Sequence, residues 1–447
     1  MVRPEIVRPR VRRVGVMLTA LSLLSATLVA CSSSGPGGNS GDTSSAATGA
    51  AGGSSAASGS GGAGNTASDT GVTPTSVKVG VLSVQTGPFG TEGGANLAAF
   101  KAVVAWKNAN GGINGRKIDL DVLDDQSSPT TALANAKKLI QSDHVFAIAA
   151  LDPNSVVAAQ FLASAKIPVV TSTSGTYGED FIPNIFGAYG NATGKNPTTT
   201  TIPLVLKQLG VTDVGSFAVS VAESSVAAAQ ATNNAAKAIG MKADYLNTSI
   251  PLGQPDFTPQ ALAVKKSGVD GLVSDMDQNS NASLMQALRN NSVAVKAVIL
   301  AAGYNKASFA GASKAAFQGT YAAVSQLPGE SNNPRVVQAR QILKKYGNIS
   351  DPPRLDESEG YDVGSLLLEG LTVAGQNPTQ ASFVTNLGNQ TSWLGGLNIK
   401  PMNYKDPGPW ENLNSGGQGL CSYTMKLEGD TFTQVSAQPV CGKVIGS

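Results

Sequence analysis

The side chains that carry most enzymatic and metal chemistry are scarce in this chain of 447 residues, which has one histidine, His144, and three cysteines. Protein metal sites are commonly built from histidine and cysteine, and a serine nucleophile commonly needs a histidine base. The part of the sequence that looks folded contains no G-x-S-x-G, P-loop or H-E-x-x-H motif. We therefore expect a binding protein rather than an enzyme, with no metal or other cofactor.

Cys31 ends an N-terminal segment that is typical of an export signal. Five arginines fall within residues 1–13, and an apolar run follows over residues 14–30. The run ends in Leu28-Val29-Ala30-Cys31, which resembles the bacterial lipobox, where the cysteine thiol is lipidated and the signal is cut just before it. We predict a signal peptide over residues 1–30 and lipidation of Cys31. The alternative, an uncut membrane anchor with an incidental cysteine, fits poorly with the low-complexity segment that follows.

Residues 31–75 consist almost entirely of Ser, Gly, Ala, Thr and Asn after the cysteine. This composition cannot bury apolar surface, so we predict a disordered linker that lets the folded part reorient on its lipid anchor outside the cytoplasm.

The net charge of the chain is +2 and 14% of its residues are charged. Because no strong field of one sign exists, nucleic acid is not an expected partner.

Cys421 and Cys441 are the other two cysteines, and they lie near the C-terminus. An exported chain meets an oxidising compartment, where paired cysteines usually form disulfides. We expect a disulfide between these two residues. The alternative is a pair of free thiols.

Apolar strands and helix-like segments alternate from residue 77 onward. This rhythm is typical of a parallel sheet with helices on both faces, and it fills two successive units, which begin near residues 77 and 199. The tail reads as a hairpin of two strands, at residues 423–427 and 432–435. The first unit is predicted to have strands at residues 77–82, 117–123, 145–150 and 168–171 and helices at residues 95–108, 132–142 and 156–165.

Several blocks in these units resemble the type I periplasmic binding proteins of the leucine/isoleucine/valine-binding family. The most specific block is NANGGINGRKI at residues 108–118, followed by Asp124-Asp125-Gln126 after the next predicted strand. The order and spacing of the blocks match the family over about residues 77–400. The other blocks are VGVL at 79–82 with TGP at 86–88, AKIPVV at 165–170, DFT at 256–258 and EGYD at 359–362.

The resemblance implies an α/β fold with two Rossmann-like lobes joined by a three-segment hinge. Its crossing segments are expected near residues 186–190, 322–327 and 395–405. The N-terminal lobe would comprise residues 76–188 plus 326–398, and the C-terminal lobe residues 189–325 plus 399–447.

The resemblance also implies a function, which is to bind a small polar solute, such as an amino acid or amide, in a cleft between the lobes. A monomer of this kind delivers its solute to the permease subunits of an ABC transporter. A ligand-sensing receptor component with the same fold is the alternative, and an extracytoplasmic enzyme is a weaker one.

Ligands of open α/β sheets bind beyond the C-terminal ends of the strands, which selects the candidate contacts of the first lobe. In relatives, hydroxyl groups of the second and third of these loops hold the solute, and the resemblance carries that role to Ser155, Thr173 and Ser174. The same residue types also cap helices, so both roles stay open. The candidates in these loops are Gln85, Thr86, Asn154, Ser155, Thr173, Ser174 and Tyr177.

The second lobe departs from the family pattern. Many relatives carry Tyr-Gly where this chain has Ala222-Glu223, and the acid that pairs with an amino-acid ammonium would fall near Tyr304, where no acid stands. Glu223, Asp275 and Asp277 are candidate replacements, although each acid is also compatible with a solvated charge at the rim. Tyr304 is a candidate for a stacking face or a hydroxyl contact. These departures argue against a branched-chain amino acid as the solute.

Overall fold

The computed structural model describes residues 64–87, 90–172, 182–190, 198–301, 303–309, 311–405 and 420–445. The predicted signal peptide, Cys31 and most of the predicted linker lie outside these ranges, as do Thr173, Ser174 and Tyr177. For Glu223 the structure describes the backbone alone. No helix of the described residues has the length and apolar character needed to cross a membrane.

Strands and helices alternate along the described residues, which confirms the predicted α/β class. In chain order the strands are Ser76–Ser83 (β1), Lys117–Asp124 (β2), Ala147–Ala150 (β3), Val169–Thr171 (β4), Ile185–Gly187 (β5), Thr198–Thr199 (β6), Asp213–Val219 (β7), Lys242–Ile250 (β8), Gly271–Asp275 (β9), Ala297–Leu300 (β10), Tyr321–Val324 (β11), Cys421–Glu428 (β12), Thr431–Gln434 (β13), Val440–Cys441 (β14) and Val444–Ile445 (β15).

The helices fall between these strands and in the long segment after β11. They are Gly90–Ala109 (α1), Pro129–Gln141 (α2), Ala159–Ala165 (α3), Thr201–Gln208 (α4), Glu223–Ala238 (α5), Thr258–Ser267 (α6), Gln278–Asn290 (α7), Gly311–Phe317 (α8), Pro334–Gly347 (α9), Leu355–Val373 (α10) and Gln380–Gly388 (α11), with 3₁₀ helices at Pro153–Ala158 and Lys306–Phe309. Short α8 and α11 were not predicted from the sequence.

The first lobe is built on a parallel sheet in the order β2-β1-β3-β4-β5. One face packs against α1, α9, α10 and α11, and the other against α2 and α3. Strands β3, β4 and β5 are therefore buried along their whole length, as expected for a parallel sheet covered on both faces.

Helices α1 and α10 run side by side in the same direction in this lobe. Gly360 lies against the backbone of Asn96, and Gly364 lies against Val103. A Cβ at Gly360 would stand 1.9 Å from the Asn96 carbonyl oxygen, so glycine permits the close approach. Because α1 begins just after β1, the N-termini of both helices lie at the edge where the strands of the first sheet end.

The second lobe contains a sheet in the order β13-β12-β11-β10-β9-β7-β8. Strands β7 to β11 are parallel, and β12 and β13 form the predicted antiparallel hairpin. In the tail, Cys421 and Cys441 face each other on β12 and β14 with their Cα atoms 4.0 Å apart. This geometry is compatible with the predicted disulfide, which stays a prediction. Strand β15 then pairs with β6.

Three buried side chains join the segments that connect the lobes. The Gln326 Nε2 donates to the Tyr189 hydroxyl at 2.7 Å, and the Asn398 Nδ2 donates to the Ala188 carbonyl at 2.9 Å. Residues 326 and 398 also form a β-bridge. The predicted crossings at 186–190, 322–327 and 395–405 therefore meet side by side. Met402 and Tyr404 still pack in the first-lobe core, beyond the predicted boundary at residue 398; the lobe boundaries stay predictions.

The N-terminal end of the described chain is bound to the first lobe by Arg116, which is 1% exposed. Its guanidinium donates to the carbonyls of Thr66 at 2.8 Å, Thr73 at 2.7 Å and Gln376 at 2.5 Å. The composition of residues 65–73 predicts a disordered linker, and the structure corrects that prediction. A buried cation takes up backbone oxygens of the segment, so polar contacts hold it where apolar side chains are lacking.

Candidate functional site

The loop after β10 in the second lobe contacts the first lobe. The Tyr304 carbonyl accepts a hydrogen bond from the Leu355 N–H at 3.0 Å, and its hydroxyl accepts one from the Gly329 N–H at 2.8 Å. Lys306 pairs with Asp351 at 3.2 Å. Since Leu355 begins α10, and α10 begins at the edge where the first sheet ends, loops that follow strands in both sheets face one another. The candidate site lies between them.

Two adjacent acids after β2 gather several of the predicted first-lobe contacts. The Asp124 carboxylate accepts from the Gln85 N–H at 2.9 Å and from the Thr86 hydroxyl at 2.7 Å. The Asp125 carboxylate accepts from the Asn154 side-chain amide at 2.9 Å. Burial by itself would raise the pKa of Asp124, but these hydrogen bonds outweigh it and lower that pKa. The two adjacent acids thus bring Gln85, Thr86 and Asn154 together. The side chains of Thr86 and Asn154 are hydrogen-bonded to Asp124 and Asp125, and Gln85 is held by its backbone N–H.

Asp152, after β3, is a further acid of this edge and was not among the contacts predicted from the sequence. It caps the following 3₁₀ helix by accepting from the Ser155 N–H at 3.0 Å, and the Ser155 hydroxyl donates to the Asp152 carbonyl at 2.6 Å. Burial, together with the hydrogen bond and charge of Asp125, raises the pKa of Asp152 to about 8. Ser155 therefore has a structural role here, and its ligand role stays a prediction. Acids at the ends of two strands that are consecutive in the chain, β2 and β3, were the available sequence signal for this pair.

The N-terminus of α10 adds half-buried acids beside this edge. Burial raises the pKa of Glu359 to about 7, and burial with the charges of Glu359, Glu357 and Glu92 raises that of Asp356 to about 7. The Asn96 amide on α1 donates to Glu359 at 3.4 Å. The first lobe therefore has several acids near the candidate site, and the pKa values of Asp152, Asp356 and Glu359 lie close to neutral pH. Within the described residues, no group of three or more His, Cys, Asp or Glu is arranged to hold a metal ion.

Asp275, at the end of β9, lines a cavity of about 360 Å³ between α5 and the second sheet. Its Oδ2 is buried and has no hydrogen-bond partner among the described residues. Burial raises the pKa of Asp275 to about 7. The Ser225 hydroxyl on α5 donates to the Asp275 carbonyl and accepts from the Val219 N–H at 3.1 Å, which fixes the start of α5 against the ends of β7 and β9.

Asp277 and Tyr304, the other second-lobe candidates with described side chains, have partners of their own. Asp277 caps α7 by accepting from the Asn279 and Ser280 N–H groups, both at 3.0 Å, and from the Ser280 hydroxyl at 2.6 Å. Tyr304 is 4% exposed, and its ring packs on Phe432 with the centroids 4.8 Å apart. Neither residue lines the Asp275 cavity. Asp277 thus caps a helix and Tyr304 packs against a neighbouring ring. Their ligand contacts stay predictions.

A model of the periplasmic binding protein family matches residues 76–407. A search of curated proteins finds no match. Two solved transport proteins are similar in fold. The solute-binding protein of an ABC transporter from R. palustris, in complex with 4-hydroxybenzoate, has a TM-score of 0.66 and 19% identity, over 81% of this chain and 96% of that one. The fatty acid ABC transporter substrate-binding protein from Thermomonospora curvata has a TM-score of 0.64 and 19% identity, over 83% and 93%.

A leucine binding protein from Thermotoga maritima is also similar, with a TM-score of 0.64 and 16% identity, over 80% of this chain and 98% of that one. At these identities the likeness concerns the fold. The ligands named for these three proteins, an aromatic acid, a fatty acid and an amino acid, differ in charge and shape. The fold is therefore compatible with chemically unlike solutes, and the choice among them depends on the side chains of the site.

Proposed function

Because the chain belongs to the type I periplasmic binding protein family, the leucine/isoleucine/valine-binding group, we propose that it is the substrate-binding protein of an ABC importer. It captures a small solute between its lobes and presents it to the permease. The observation that carries this proposal is the meeting of two strand-end edges across three hydrogen-bonded crossing segments, with a lined cavity at the second edge. The same arrangement favours binding over catalysis, and the protein is not proposed to be an enzyme.

The mechanism we propose is hinge closure. In the open state the solute reaches the strand ends of one lobe, and contacts to the second lobe then stabilise the closed state, which the permease recognises. Asp275 is the second-lobe contact that the cavity supports best. In the first lobe the proposed contacts are the loops after β1, β3 and β4, which include Gln85, Asn154 and Thr173. Closure also removes water from the charged groups at both edges, which strengthens their interactions with the solute.

The proposed lipid anchor is joined to the first lobe at a place away from the candidate site. We propose that the signal over residues 1–30 is removed and that lipidated Cys31 holds the monomeric protein on the outer face of the cell membrane. The first described segment, residues 65–73, is bound near the start of β2 by Arg116. Strands begin there, so the tether joins the first lobe at the edge opposite the candidate site.

A panel of solutes tests the proposed function. The full chain, purified in a mild detergent, is heated with amino acids, amides, urea, small organic acids, 4-hydroxybenzoate and a short fatty acid. A true ligand stabilises the folded state by about 2.7 kcal/mol at 100 times its Kd, which raises Tm in a saturable way. If no member of the panel produces a saturable rise, the solute-binding role is contradicted.

A further inference from the structure

The Asp275 cavity is lined mainly by small apolar side chains. Helix α5 supplies Ala227, Ala228 and Ala231, while Ala301 and Ala323 follow or lie on neighbouring strands of the second sheet. Alanine methyl groups leave the space between helix and sheet unfilled, although larger side chains would fill it and gain packing energy. The result is a space of about 360 Å³ with mainly apolar walls, and this volume is large enough for a short hydrocarbon chain.

Among the described residues that line this space, Asp275 has the only ionisable side chain. Its Oδ2 is buried without a hydrogen-bond partner among those residues. A buried carboxylate oxygen without a partner is costly in a folded protein, because its lost hydration is not replaced. An acid with a strongly raised pKa on the wall of a cavity is a common mark of a functional site.

The remaining polar side chains of the cavity fit a hydrogen-bond donor. Thr199 on β6 and Thr232 on α5 line the same space and carry hydroxyl oxygens that can accept. No lysine or arginine lines it among the described residues, so a carboxylate in this space would lack a counterion. A protonated amine has three donors and one positive charge, which one carboxylate and two hydroxyls can satisfy.

We propose that this cavity is the specificity subsite of the solute site and that it takes a primary ammonium group carried on a short hydrocarbon chain. The ammonium pairs with Asp275, and the chain lies against the alanines of α5. This inference rests on the proposed function, because the amine is part of the transported solute. It places the cation-binding acid at the end of β9, one strand away from the position near Tyr304 that the family resemblance implies.

Simple amines test the subsite with the full chain in mild detergent at pH 8, where the Asp275 carboxyl is largely ionised. Ethyl-, n-butyl- and n-hexylammonium chloride are titrated while Tm and heat of binding are recorded, with sodium chloride matching the ionic strength. n-Butanol and sodium butyrate are the controls of equal length. We expect saturable binding of n-butylammonium and no comparable response to the alcohol or the acid.

Two variants separate the charge from the space. Asp275→Asn keeps the size of the side chain and should weaken n-butylammonium binding roughly tenfold or more. Ala228→Leu keeps the carboxylate and fills the cavity, so it should also abolish binding. Asp430→Asn is the matched control, because this acid of the same lobe lies in the exposed turn before β13, with 73% of its side chain exposed. It should bind n-butylammonium as the unaltered chain does.

The outcomes distinguish this inference from the proposed function. Absence of n-butylammonium binding, or equal binding by Asp275→Asn and the unaltered chain, would overturn the amine subsite. Saturable binding of an anionic or neutral solute from the wider panel, unaffected by Asp275→Asn, would also overturn the subsite and leave the solute-binding function standing. Failure of every amine and every panel member would overturn both.

Discussion

The hydroxyl of Tyr304 in the second lobe donates a hydrogen bond to the carboxylate of Glu330, on the segment that leads into α9 of the first lobe. The guanidinium of Arg354, just before α10, lies 3.6 Å from the same carboxylate and 5.9 Å from the centre of the Phe432 ring. Burial raises the pKa of Glu330, and the Tyr304 hydrogen bond and the Arg354 charge partly offset it. The lobes are thus joined beside the candidate site by a buried polar network.

Tyr304→Phe should lower the free energy of unfolding by about 1–3 kcal/mol. The change leaves the buried Glu330 carboxylate and the Gly329 N–H without the hydroxyl that each contacts, and an unsatisfied buried polar group costs about that much. Urea denaturation measures the effect. Tyr346→Phe on α9 is the control, because it removes a hydroxyl from a half-buried tyrosine outside this network. Equal stability of the two variants would show that the network contributes nothing.

The stability of the ligand-free protein should fall as pH rises from about 5 to 8, and Asp275 should account for part of the fall. Its pKa is raised from 3.8 to about 7, so the folded state holds a proton that the unfolded state releases near pH 4. The stabilisation is present below pH 4 and is lost as pH rises through 7. One unit of pKa shift corresponds to about 1.4 kcal/mol, so a contribution of a few kcal/mol is expected.

Asp275→Asn removes that titration and should flatten the pH dependence, leaving the variant more stable than the unaltered chain at pH 8. Tm measured at intervals from pH 5 to pH 8 checks this, with Asp430→Asn as the control of equal charge change. Identical slopes for Asp275→Asn and the unaltered chain would mean that Asp275 is not protonated in the folded protein at neutral pH.

Arg116→Lys should release residues 65–73 from the first lobe without changing solute binding. The lysine keeps the charge, but it cannot reproduce the set of hydrogen bonds that the guanidinium makes to three separate segments. Limited proteolysis should then cut near residues 65–73 faster than in the unaltered chain. Lys117→Gln, at an exposed neighbouring position, is the control and should leave the cleavage rate unchanged. Unchanged cleavage in Arg116→Lys would contradict this role of the arginine.

Removing the Cys421–Cys441 pair should destabilise the tail and weaken the cavity wall that depends on it. Strand β15 pairs with β6, and the Thr200 N–H donates to the Lys443 carbonyl at 2.9 Å, so the tail holds the β6 segment that lines the cavity. A disulfide closing a loop of this size stabilises by about 3 kcal/mol in the chain-entropy model.

Thiol titration of the unfolded, unreduced protein should find neither Cys421 nor Cys441 free. The double variant Cys421→Ala/Cys441→Ala should have a lower Tm and weaker n-butylammonium binding. Two reactive thiols in the unreduced protein would contradict the disulfide.

Cys31→Ser should release the protein from the membrane into the soluble extracytoplasmic fraction. The lipid is the proposed attachment, and a serine hydroxyl does not replace the thiol in lipid transfer. Fractionation of cells followed by detection of the chain measures the change, with Ser32→Ala as the neighbouring control. Continued membrane retention of Cys31→Ser would indicate an uncut anchor.

The sequence determined the fold of this protein, because its signals are local. The strand predicted at residues 117–123 is observed as β2, one residue longer, and the helix predicted over residues 132–142 lies within three residues of α2 at each end. Apolar periodicity and glycine at turns can be read within one element or between two neighbouring elements. The order of the family blocks then indicates how the elements follow one another along the chain. Helices α8 and α11 were missed because seven and nine residues offer little periodicity to detect.

The tertiary structure decided which candidate residues are engaged and by what. Serine and aspartate at a strand end serve equally as helix caps or ligand contacts, so their type and position could not separate the roles of Ser155, Asp277 and Asp275. The distinction rests on where distant segments meet. Ser155 and Asp277 are bound within their own loops, whereas Asp275 faces a cavity whose walls come from α5, β6 and β11. Tyr304 meets Glu330 because segments of the two lobes come together, and burial raises the pKa of both groups.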